Sequence, residues 1–485
     1  MLALTLASCG SQLDPSAVAL ANGADAGLRV AALSGPSTSS DASADMPASD
    51  VDDGAGPDAL AGDPVAPADG AGLTPDTSPD VGTQTNDNTS ITPTVEADPA
   101  SEQAQAGNCD GFDDSQPGVT ADTIVIGNAS DLTGPSPGLF QSALDGVRAY
   151  VEYFNSISDI CGHQIAVKSF DSRTDASGDQ QAYAAACAET FAAVGSASVF
   201  DTGGAATAAS CGIPDLRMVS FSRQRLDCRT CYSAQVTSPD AIPNAGIDFF
   251  KKVGGPEAIK STAILYIDVG DLKVNAEARA KAVEARGYNV TYLAGIGASE
   301  FNYAPYVQQL KDRGVRFVQF GGSNAFAVRM AQAMQQQGYK PDVFVVLPTQ
   351  YNQAYIEQGG TAVEGSYVQL AQQPFGSPNP EMRLYEQWLQ QVKPGSEPTP
   401  TGLYAWSAAR LFADKALELG GTLTRDSLIA AVAKERAWTA HGLHIEQNVG
   451  GKVTGECQAI IQLRAGVWRQ VSPGKYLCNG LTKVG

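Results

Sequence analysis

The fold is decided by residues 123–154, which read TIVIGNASDLTGPSPGLFQSALDGVRAYVEYF. The β-branched run Thr123–Gly127 predicts a strand, and the Gly/Pro-rich stretch Thr133–Gly138 predicts a turn. The apolar residues that follow recur at spacings of three and four, the period of one helix face; they are Phe140, Leu144, Val147, Val151 and Phe154. The stretch therefore predicts a strand, a turn and an amphipathic helix, which together begin a βαβ unit.

The same alternation continues along the chain. Gln164–Phe170 predicts a second strand, Gly178–Val194 an Ala-rich helix and Ala197–Phe200 a third strand. After a proline-containing crossing at Ser238–Pro243 the pattern restarts with a strand at Ala263–Ile267. Further helices are predicted at 275–286, 304–313 and 325–337, and further strands at 288–293, 315–320 and 343–347. Strands that alternate with helices of 10 to 15 residues are typical of parallel sheets with helices on both faces.

The sequence thus predicts an α/β protein with two doubly wound, Rossmann-like lobes, a hinge and an interlobe cleft. We expect the first lobe to comprise about 117–240 plus 365–430, and the second about 241–364 plus 440–480. A helix over Leu403–Leu419 and a terminal hairpin at 459–471 should complete the lobes. Ligands of such sheets bind outside the carboxyl ends of the strands, so the cleft is the place to look for a site.

The N-terminal segment has a different composition. Residues 10–107 contain sixteen acidic residues, one arginine (Arg29), no lysine and no aromatic residue. Such a segment cannot bury enough apolar surface to offset its conformational entropy, which predicts a disordered acidic linker. It carries most of the net charge of −20 and leaves residues 108–485 nearly neutral. Without a basic tract, the chain is not expected to bind nucleic acid.

The first nine residues predict export. Leu6–Cys9 resembles the lipobox of bacterial lipoproteins, in which the cysteine is lipidated after the signal peptide is cut. Residues 1–9 are therefore interpreted as a truncated signal peptide, since the basic residues that usually open one are missing. Lipidation at Cys9 would place the protein outside the cytoplasm, anchored to the cell membrane.

The eight other cysteines are an even number, which in an exported chain favours disulfides. Cys457 and Cys478 flank the predicted hairpin and are the first expected pair; Cys161 with Cys187 is the second. Cys228 and Cys231 have CxxC spacing, which also occurs in redox pairs and zinc sites. A structural disulfide is favoured there, because the chain has neither a second CxxC nor a clear histidine pair, so no metal or cofactor is expected.

Residues 117–475 resemble the type I periplasmic binding proteins of the leucine/isoleucine/valine class, the solute-binding components of ABC importers. The likeness starts with Ile124–Gly127 and the loop Leu132–Pro135, which is similar to the family's strand and "LSGP" loop. It continues through Phe170-Asp171 and Gly212–Pro214 to the AKAVEARGYNV stretch at 280–290. The resemblance implies a fold with two lobes and a ligand between them.

The resemblance also implies where a ligand would be held. The family holds a carboxylate in the loop after the third strand, matched here by Thr202, Gly203 and Gly204, and helix N-termini suit anions. In the opposite lobe Ser323 follows a strand, without the acidic residue that often receives an ammonium group, and Asp268 or Asp271 could receive a cation. Further expected contacts are Ser130, Thr133, Ser220, Ser222, Gln350 and Tyr351.

Enzyme motifs are missing from the sequence. It has no GxSxG, GxGxxG, P-loop, HExxH or EF-hand pattern, and its three histidines give catalysis little to use. We therefore expect a non-enzymatic solute-binding protein that delivers a small polar metabolite, such as a branched-chain amino acid or an amide, to an ABC permease with its ATPase. A ligand-sensing receptor subunit of the same fold without transport is the alternative.

Overall fold

The computed structural model describes residues 107–134, 137–220 and 222–484. The strands of the first sheet are β1 (Thr123–Ser130), β2 (Gln164–Asp171), β3 (Ala192–Val194), β4 (Asp215–Val219) and β5 (Cys231–Gln235). The helices between them are α1 (Gln141–Ile157), α2 (Ala176–Glu189), α3 (Thr202–Cys211) and α4 (Arg223–Asp227). All five strands are parallel, in the order β2-β1-β3-β4-β5. The order reverses at β1, which opens a crevice at the carboxyl ends of β1 and β3.

The third strand differs from its sequence prediction. The sequence predicted one helix through Val194 and a strand at Ala197–Phe200, but α2 ends at Glu189 and β3 occupies Ala192–Val194. Ala192 pairs with Ile126 of β1, and all three residues of β3 are fully buried. Alanines favour helices in isolation, but here pairing between two buried strands outweighs that local preference.

The second sheet follows the crossing after β5. Its strands are β7 (Thr262–Ile267), β8 (Val290–Ile296), β9 (Phe317–Gly321), β10 (Val343–Val346), β11 (Tyr367–Leu370), β12 (Cys457–Arg464) and β13 (Val467–Gln470), with the short β14 (Leu477–Cys478) beside β12. A separate pair joins β6 (Ala241–Pro243) to β15 (Leu481–Lys483). The order is β13-β12-β11-β10-β9-β7-β8. The strands from β7 to β11 are parallel, and β12 and β13 form the predicted antiparallel hairpin.

Helices cover both faces of the second sheet. They are α5 (Asn244–Lys260), α6 (Leu272–Ala285), α7 (Ala304–Asp312), α8 (Asn324–Gln336) and α9 (Gln353–Gly359). Short 3-10 turns lie at Pro348–Gln350, Gly360–Val363 and Gly420–Thr422. Separate apolar cores form on the two faces, one around Phe320 and Met330 and the other around Phe250 and Phe317. The prediction of two doubly wound α/β lobes is confirmed.

Three later helices return to the first lobe: α10 (Pro380–Val392), α11 (Pro400–Leu419) and α12 (Arg425–Val432). Trp406 and Phe412 of α11 are fully buried in the core that also holds Ile126 of β1. The chain crosses back to the first lobe later than the sequence predicts. The predicted crossing is at residue 365, but β11 pairs with β10 in the second sheet, so the chain crosses after residue 370.

Four disulfides join the cysteines of the described residues: Cys109–Cys161, Cys187–Cys211, Cys228–Cys231 and Cys457–Cys478. The predicted Cys457–Cys478 pair and the structural disulfide at the CxxC sequence are present. The predicted Cys161–Cys187 pair is wrong. Cys161 instead forms a disulfide with Cys109, near the start of the described chain. Cys187 of α2 is bonded to Cys211 of α3, because those two helices pack side by side.

In the part of the chain that the structure describes, no helix has the length and apolarity needed to cross a membrane. Cys9 and nearly all of the predicted acidic linker at 10–107 lie outside the described residues.

Candidate functional site

A cavity of about 770 Å³ lies between the two lobes. Loops after β1, β2 and β3 form its wall on the first lobe, together with residues of α10, α11 and the segment between them. Loops after β7, β8, β9 and β10 form the opposite wall. The carboxyl ends of both sheets therefore face one cleft, as expected for ligand sites of such sheets.

Asp131 holds three of the first-lobe loops together. It is fully buried and accepts hydrogen bonds from Ser172 Oγ at 2.6 Å, the Thr174 backbone N–H at 3.1 Å and the Val199 backbone N–H at 2.9 Å. Burial raises the pKa of this carboxyl group, while the hydrogen bonds oppose that rise. Thr174 and Val199 line the cavity, so one carboxylate positions the wall formed by the loops after β2 and β3.

Asp171 holds the loop after β1 in the same manner. Its Oδ1 accepts the backbone N–H groups of Leu132 and Thr133, each at 3.1 Å, and Thr133 Oγ1 donates to its Oδ2. Burial acts to raise the pKa of Asp171, but the hydrogen bonds from Thr133 and the backbone outweigh it and lower that pKa. The Thr133 hydroxyl, predicted to contact a ligand, is therefore engaged within the lobe.

The start of α3 is packed against α2. A Cβ added to Gly203 would lie 1.9 Å from the Ala176 carbonyl oxygen, and one added to Gly204 would lie 2.4 Å from the Tyr183 ring. The Gly204 N–H donates to Asp179 Oδ2 at 2.7 Å. These glycines are thus required by close helix packing. The N–H of Gly204, which the resemblance assigned to an anion, already has a carboxylate acceptor.

A buried charge cluster lies beneath α3. It consists of Tyr183 with Asp179, Asp201, Asp215, Arg217 and Arg225, all at most 1% exposed. Arg225 binds Asp215 Oδ2 at 2.7 Å and Asp179 Oδ2 at 2.9 Å, and its Nε donates to the Asp201 carbonyl at 2.7 Å. Arg217 Nε lies 4.0 Å from Asp201 Oδ2. The cluster places Asp201 beneath the first turn of α3, and the sequence analysis missed it because its members are scattered over 46 residues.

The second-lobe wall carries a set of linked amides. Gln350 Nε2 donates to the Gly322 carbonyl at 3.1 Å and to Asn324 Oδ1 at 3.2 Å, and Asn324 Nδ2 donates to Asn352 Oδ1 at 3.0 Å. Gln350 is fully buried behind the wall, whereas Asn324 and Asn352 line the cavity. Tyr351 points away and stacks on Phe375 with ring centroids 4.9 Å apart. It is therefore a packing residue in this structure.

The charged side chains on the cavity wall are mostly acidic. Lys393 lies 2.6 Å from Asp145, which pairs that ammonium group within the first lobe. Glu397 is exposed, and Asp271 lies at the start of α6, half-buried. Burial, followed by the negative charge of Asp201, raises the pKa of Asp271. The described lining contains no arginine and no histidine, so a ligand anion would depend on Lys393 or on the helix N-termini that face the cavity.

Of the eleven predicted ligand-binding residues, Ser323 lies on the cavity wall. Outside the lining are Ser130, Thr133, Thr202, Gly203, Gly204, Ser220, Ser222, Asp268, Gln350 and Tyr351. Ser130 Oγ donates to Asn128 Oδ1 at 2.7 Å, Ser220 Oγ lies 2.5 Å from Ser233 Oγ, and Ser222 caps α4. Asp268 is exposed beside the cavity, while the alternative cation-binding residue, Asp271, faces it.

Several polar lining residues were missed by the sequence analysis. They are Gln141, Ser142, Thr174, Asn275, Thr349, Asn352, Gln353 and Thr401. Most lie at an N-cap or in the first turn of a helix, so the available signal was a polar residue near a helix start at the edge of the sheets. That signal selects the correct loops, but it does not tell which side chain points into the cleft.

Residues 123–453 match the family model described as "Periplasmic binding protein". No curated protein sequence matches the chain significantly. Among solved structures, a fatty acid ABC transporter substrate-binding protein from Thermomonospora curvata has a TM-score of 0.64 at 19% identity, over 75% of this chain and 94% of the other.

Two further structures have a similar fold. The branched-chain amino acid transporter substrate-binding protein of Streptococcus pneumoniae, in complex with isoleucine, has a TM-score of 0.63 at 12% identity and covers 74% of this chain and 100% of its own. A solute-binding protein of an ABC transporter from R. palustris, in complex with 4-hydroxybenzoate, has a TM-score of 0.61 at 18% identity, over 75% of this chain and 97% of the other. At these identities the likeness is one of fold.

Proposed function

Because the chain belongs to the periplasmic binding protein family, we propose that it is an extracytoplasmic solute-binding protein of an ABC importer, which closes its lobes over a small molecule and delivers it to a permease. The observation that carries this proposal is the cavity formed by the facing carboxyl ends of two α/β sheets. A ligand that contacts both walls binds the closed state better than the open one. Such a ligand shifts an existing equilibrium toward closure.

The connections between the lobes support a hinge. The chain crosses after β5, after β11 and before β12, and the three crossings lie side by side. The Val236 N–H donates to Gln447 Oε1 at 3.1 Å, and the Ile445 N–H donates to the Ala371 carbonyl at 2.9 Å. Phe375 contacts the cores of both lobes. A few linked crossing segments suit a rotation of one lobe against the other.

The disulfides and the first residues support the location. Four disulfides among the described residues fit an oxidising compartment outside the cytoplasm. We extend the proposal to lipidation at Cys9, followed by the acidic linker. In this arrangement the linker would let the two-lobed part reach a permease in the same membrane.

The ligand is not given by the fold. The structures with this fold include proteins named for a fatty acid or solved with isoleucine or 4-hydroxybenzoate. The polar metabolite expected from the sequence, such as a branched-chain amino acid or an amide, is one class among these. The ligand class therefore has to be inferred from the residues that line this cleft.

The proposal is tested by thermal unfolding of the full chain against a library of metabolites, followed by small-angle X-ray scattering with each compound that stabilises it. A true ligand at a hundred times its dissociation constant stabilises the folded state by about 2.7 kcal/mol. It should also reduce the radius of gyration. The matched variant is Ala354→Trp, because Ala354 is exposed and lines the cavity, so a larger side chain fills the cleft without disturbing a core. Stabilisation that is equal in this variant would contradict the proposal.

A further inference from the structure

If the cleft is the ligand site, as the proposed function holds, its walls restrict the chemistry of the ligand. Apolar side chains from both lobes face the cavity, among them Leu139, Phe140, Phe200, Leu272, Phe326 and Leu347. Burying apolar surface contributes roughly 25 cal/mol per Å². A ligand that gains affinity here must therefore present a substantial apolar part to both walls.

A ligand carboxylate would find no free cation in the cleft. Lys393 is the one lysine of the described lining, and its ammonium group already lies 2.6 Å from Asp145. The N–H of Gly204 at the start of α3 is bonded to Asp179, and Asp201 stands at the same helix end. Asp145, Asp271 and Glu397 all line the cavity. Placing a further negative charge among them costs Coulomb energy, and the partly desolvated setting increases that cost.

The carboxylate of Asp271, by contrast, would be stabilised by a cationic group of the ligand. Among the described residues, no side chain or backbone group donates a hydrogen bond to its carboxylate, and no cation pairs with it. It is half-buried on the cavity wall, where burial and the charge of Asp201 both raise its pKa. A partly desolvated carboxylate without a partner is stabilised by any donor that reaches it, and most by a cationic one. One turn further along α6, Asn275 also lines the cavity and offers a neutral polar group beside it.

We propose that the ligand is a mainly apolar small molecule with a protonated amine and no carboxylate, and that Asp271 binds the ammonium group. The apolar part fills the space between the lobes, and the ammonium group pairs with the carboxylate at the start of α6. A free amino acid fits poorly, because its carboxylate meets acidic side chains on either wall. The inference narrows the ligand class of the same cleft on which the proposed function depends.

The test uses compounds that share one skeleton: 4-phenylbutylamine, 4-phenylbutan-1-ol and 4-phenylbutyrate, with leucine added, titrated calorimetrically into the full chain at pH 7. The amine should bind at least tenfold more tightly than the other three. Asp271→Asn should weaken amine binding about tenfold and leave the alcohol within twofold. Asp312→Asn, an equal charge change at the exposed end of α7, is the matched control and should change nothing.

Two failures remain distinguishable. The inference is overturned if leucine or 4-phenylbutyrate binds more tightly than the amine, or if Asp271→Asn leaves amine binding unchanged. In either case the proposed function still stands if Ala354→Trp abolishes binding of the compound that does bind. If neither these probes nor any metabolite of the thermal screen gives binding that Ala354→Trp removes, the proposed function itself is overturned. Circular dichroism of each variant confirms that the fold is retained.

Discussion

Lys393 and Asp145 lie 2.6 Å apart on the wall of the cleft, one at the end of α10 and the other near the start of α1. Asp145 is 9% exposed and Lys393 is 48% exposed, so the pair is open to solvent on its cationic side. The Asp145 carboxylate partly neutralises the charge of the one lysine of the described lining. If the cleft is the ligand site, as proposed, Asp145 of the first lobe therefore lowers the affinity for a ligand carboxylate.

Asp145→Asn should release that lysine. We expect affinity for 4-phenylbutyrate to rise about fivefold, since a partly exposed ion pair is worth up to about 1 kcal/mol. Calorimetric titration at low and high salt checks this, and the gain should shrink as salt screens the charges. The double variant Asp145→Asn with Lys393→Ala should lose the gain. An unchanged affinity in the single variant would show that Lys393 does not reach the ligand.

Arg225→Ala should destabilise the first lobe strongly. The change leaves Asp179 buried without its cation and Asp215 with only Arg217, 3.8 Å away, and breaking a buried ion pair from one side costs roughly 3–5 kcal/mol. Urea unfolding followed by far-UV circular dichroism measures the loss. Arg223→Ala on the same helix is the control, because its pair with Asp240 is nearly half exposed and should cost about 1 kcal/mol or less. If both variants lost the same free energy of unfolding, the buried cluster would not have the stabilising role assigned to it.

Cys161→Ser should leave Cys109 as the single free thiol among the cysteines of the described residues. The structure pairs these residues across 52 positions, whereas the sequence had favoured Cys187 as the partner of Cys161. Alkylation under denaturing conditions, followed by peptide mass spectrometry, identifies the freed cysteine. Loss of a disulfide that closes a loop of this length should lower the free energy of unfolding by roughly 2–5 kcal/mol. Labelling of Cys187 instead would disprove the pairing.

Stability should fall as the pH drops from about 6.5 to 4, in part through His444. This side chain is buried; its Nδ1 donates to the Ile445 carbonyl at 2.7 Å and its Nε2 accepts from Ser407 Oγ at 2.8 Å. Desolvation lowers its pKa to about 4, so only the unfolded chain takes up a proton in this range. The shift corresponds to a loss on the order of 3 kcal/mol.

Urea unfolding at a series of pH values measures this loss. The variant His444→Gln should show a shallower decline between pH 6.5 and 4, even if it is less stable at pH 7. The control His441→Gln changes an exposed histidine at the end of the same loop and should keep the slope of the natural chain. Parallel curves for His444→Gln and the natural chain would contradict the prediction.

Most of the architecture could be predicted because it depends on local patterns. The apolar period of Phe140 to Phe154 belongs to α1, and the predicted helices at 304–313 and 325–337 are α7 and α8, each followed by a glycine with positive φ, Gly314 or Gly338. What failed depends on partners distant in sequence. Nothing local distinguishes Ala192–Val194 from the end of a helix, and it becomes a strand because β1 lies beside it.

The site was predictable to the level of its loops. The rule about carboxyl ends of strands selected the correct edge of both sheets, and the segment around Asp271 was among those named. Side-chain direction was not predictable, because it is set by contacts that no spacing reveals. Thr133 turns to Asp171, and Tyr351 turns to Phe375.

The Cys109–Cys161 bond also determines where a pulling force would act. The start of the described chain is held to the first lobe by this bond, by the Gly107 N–H to the Leu417 carbonyl at 2.9 Å, and by Phe112 stacked on His163. Tension that reached the protein through its N-terminal segment would load this lobe alone. In that arrangement the first lobe would stay fixed relative to the tether, and closure would occur by rotation of the second lobe.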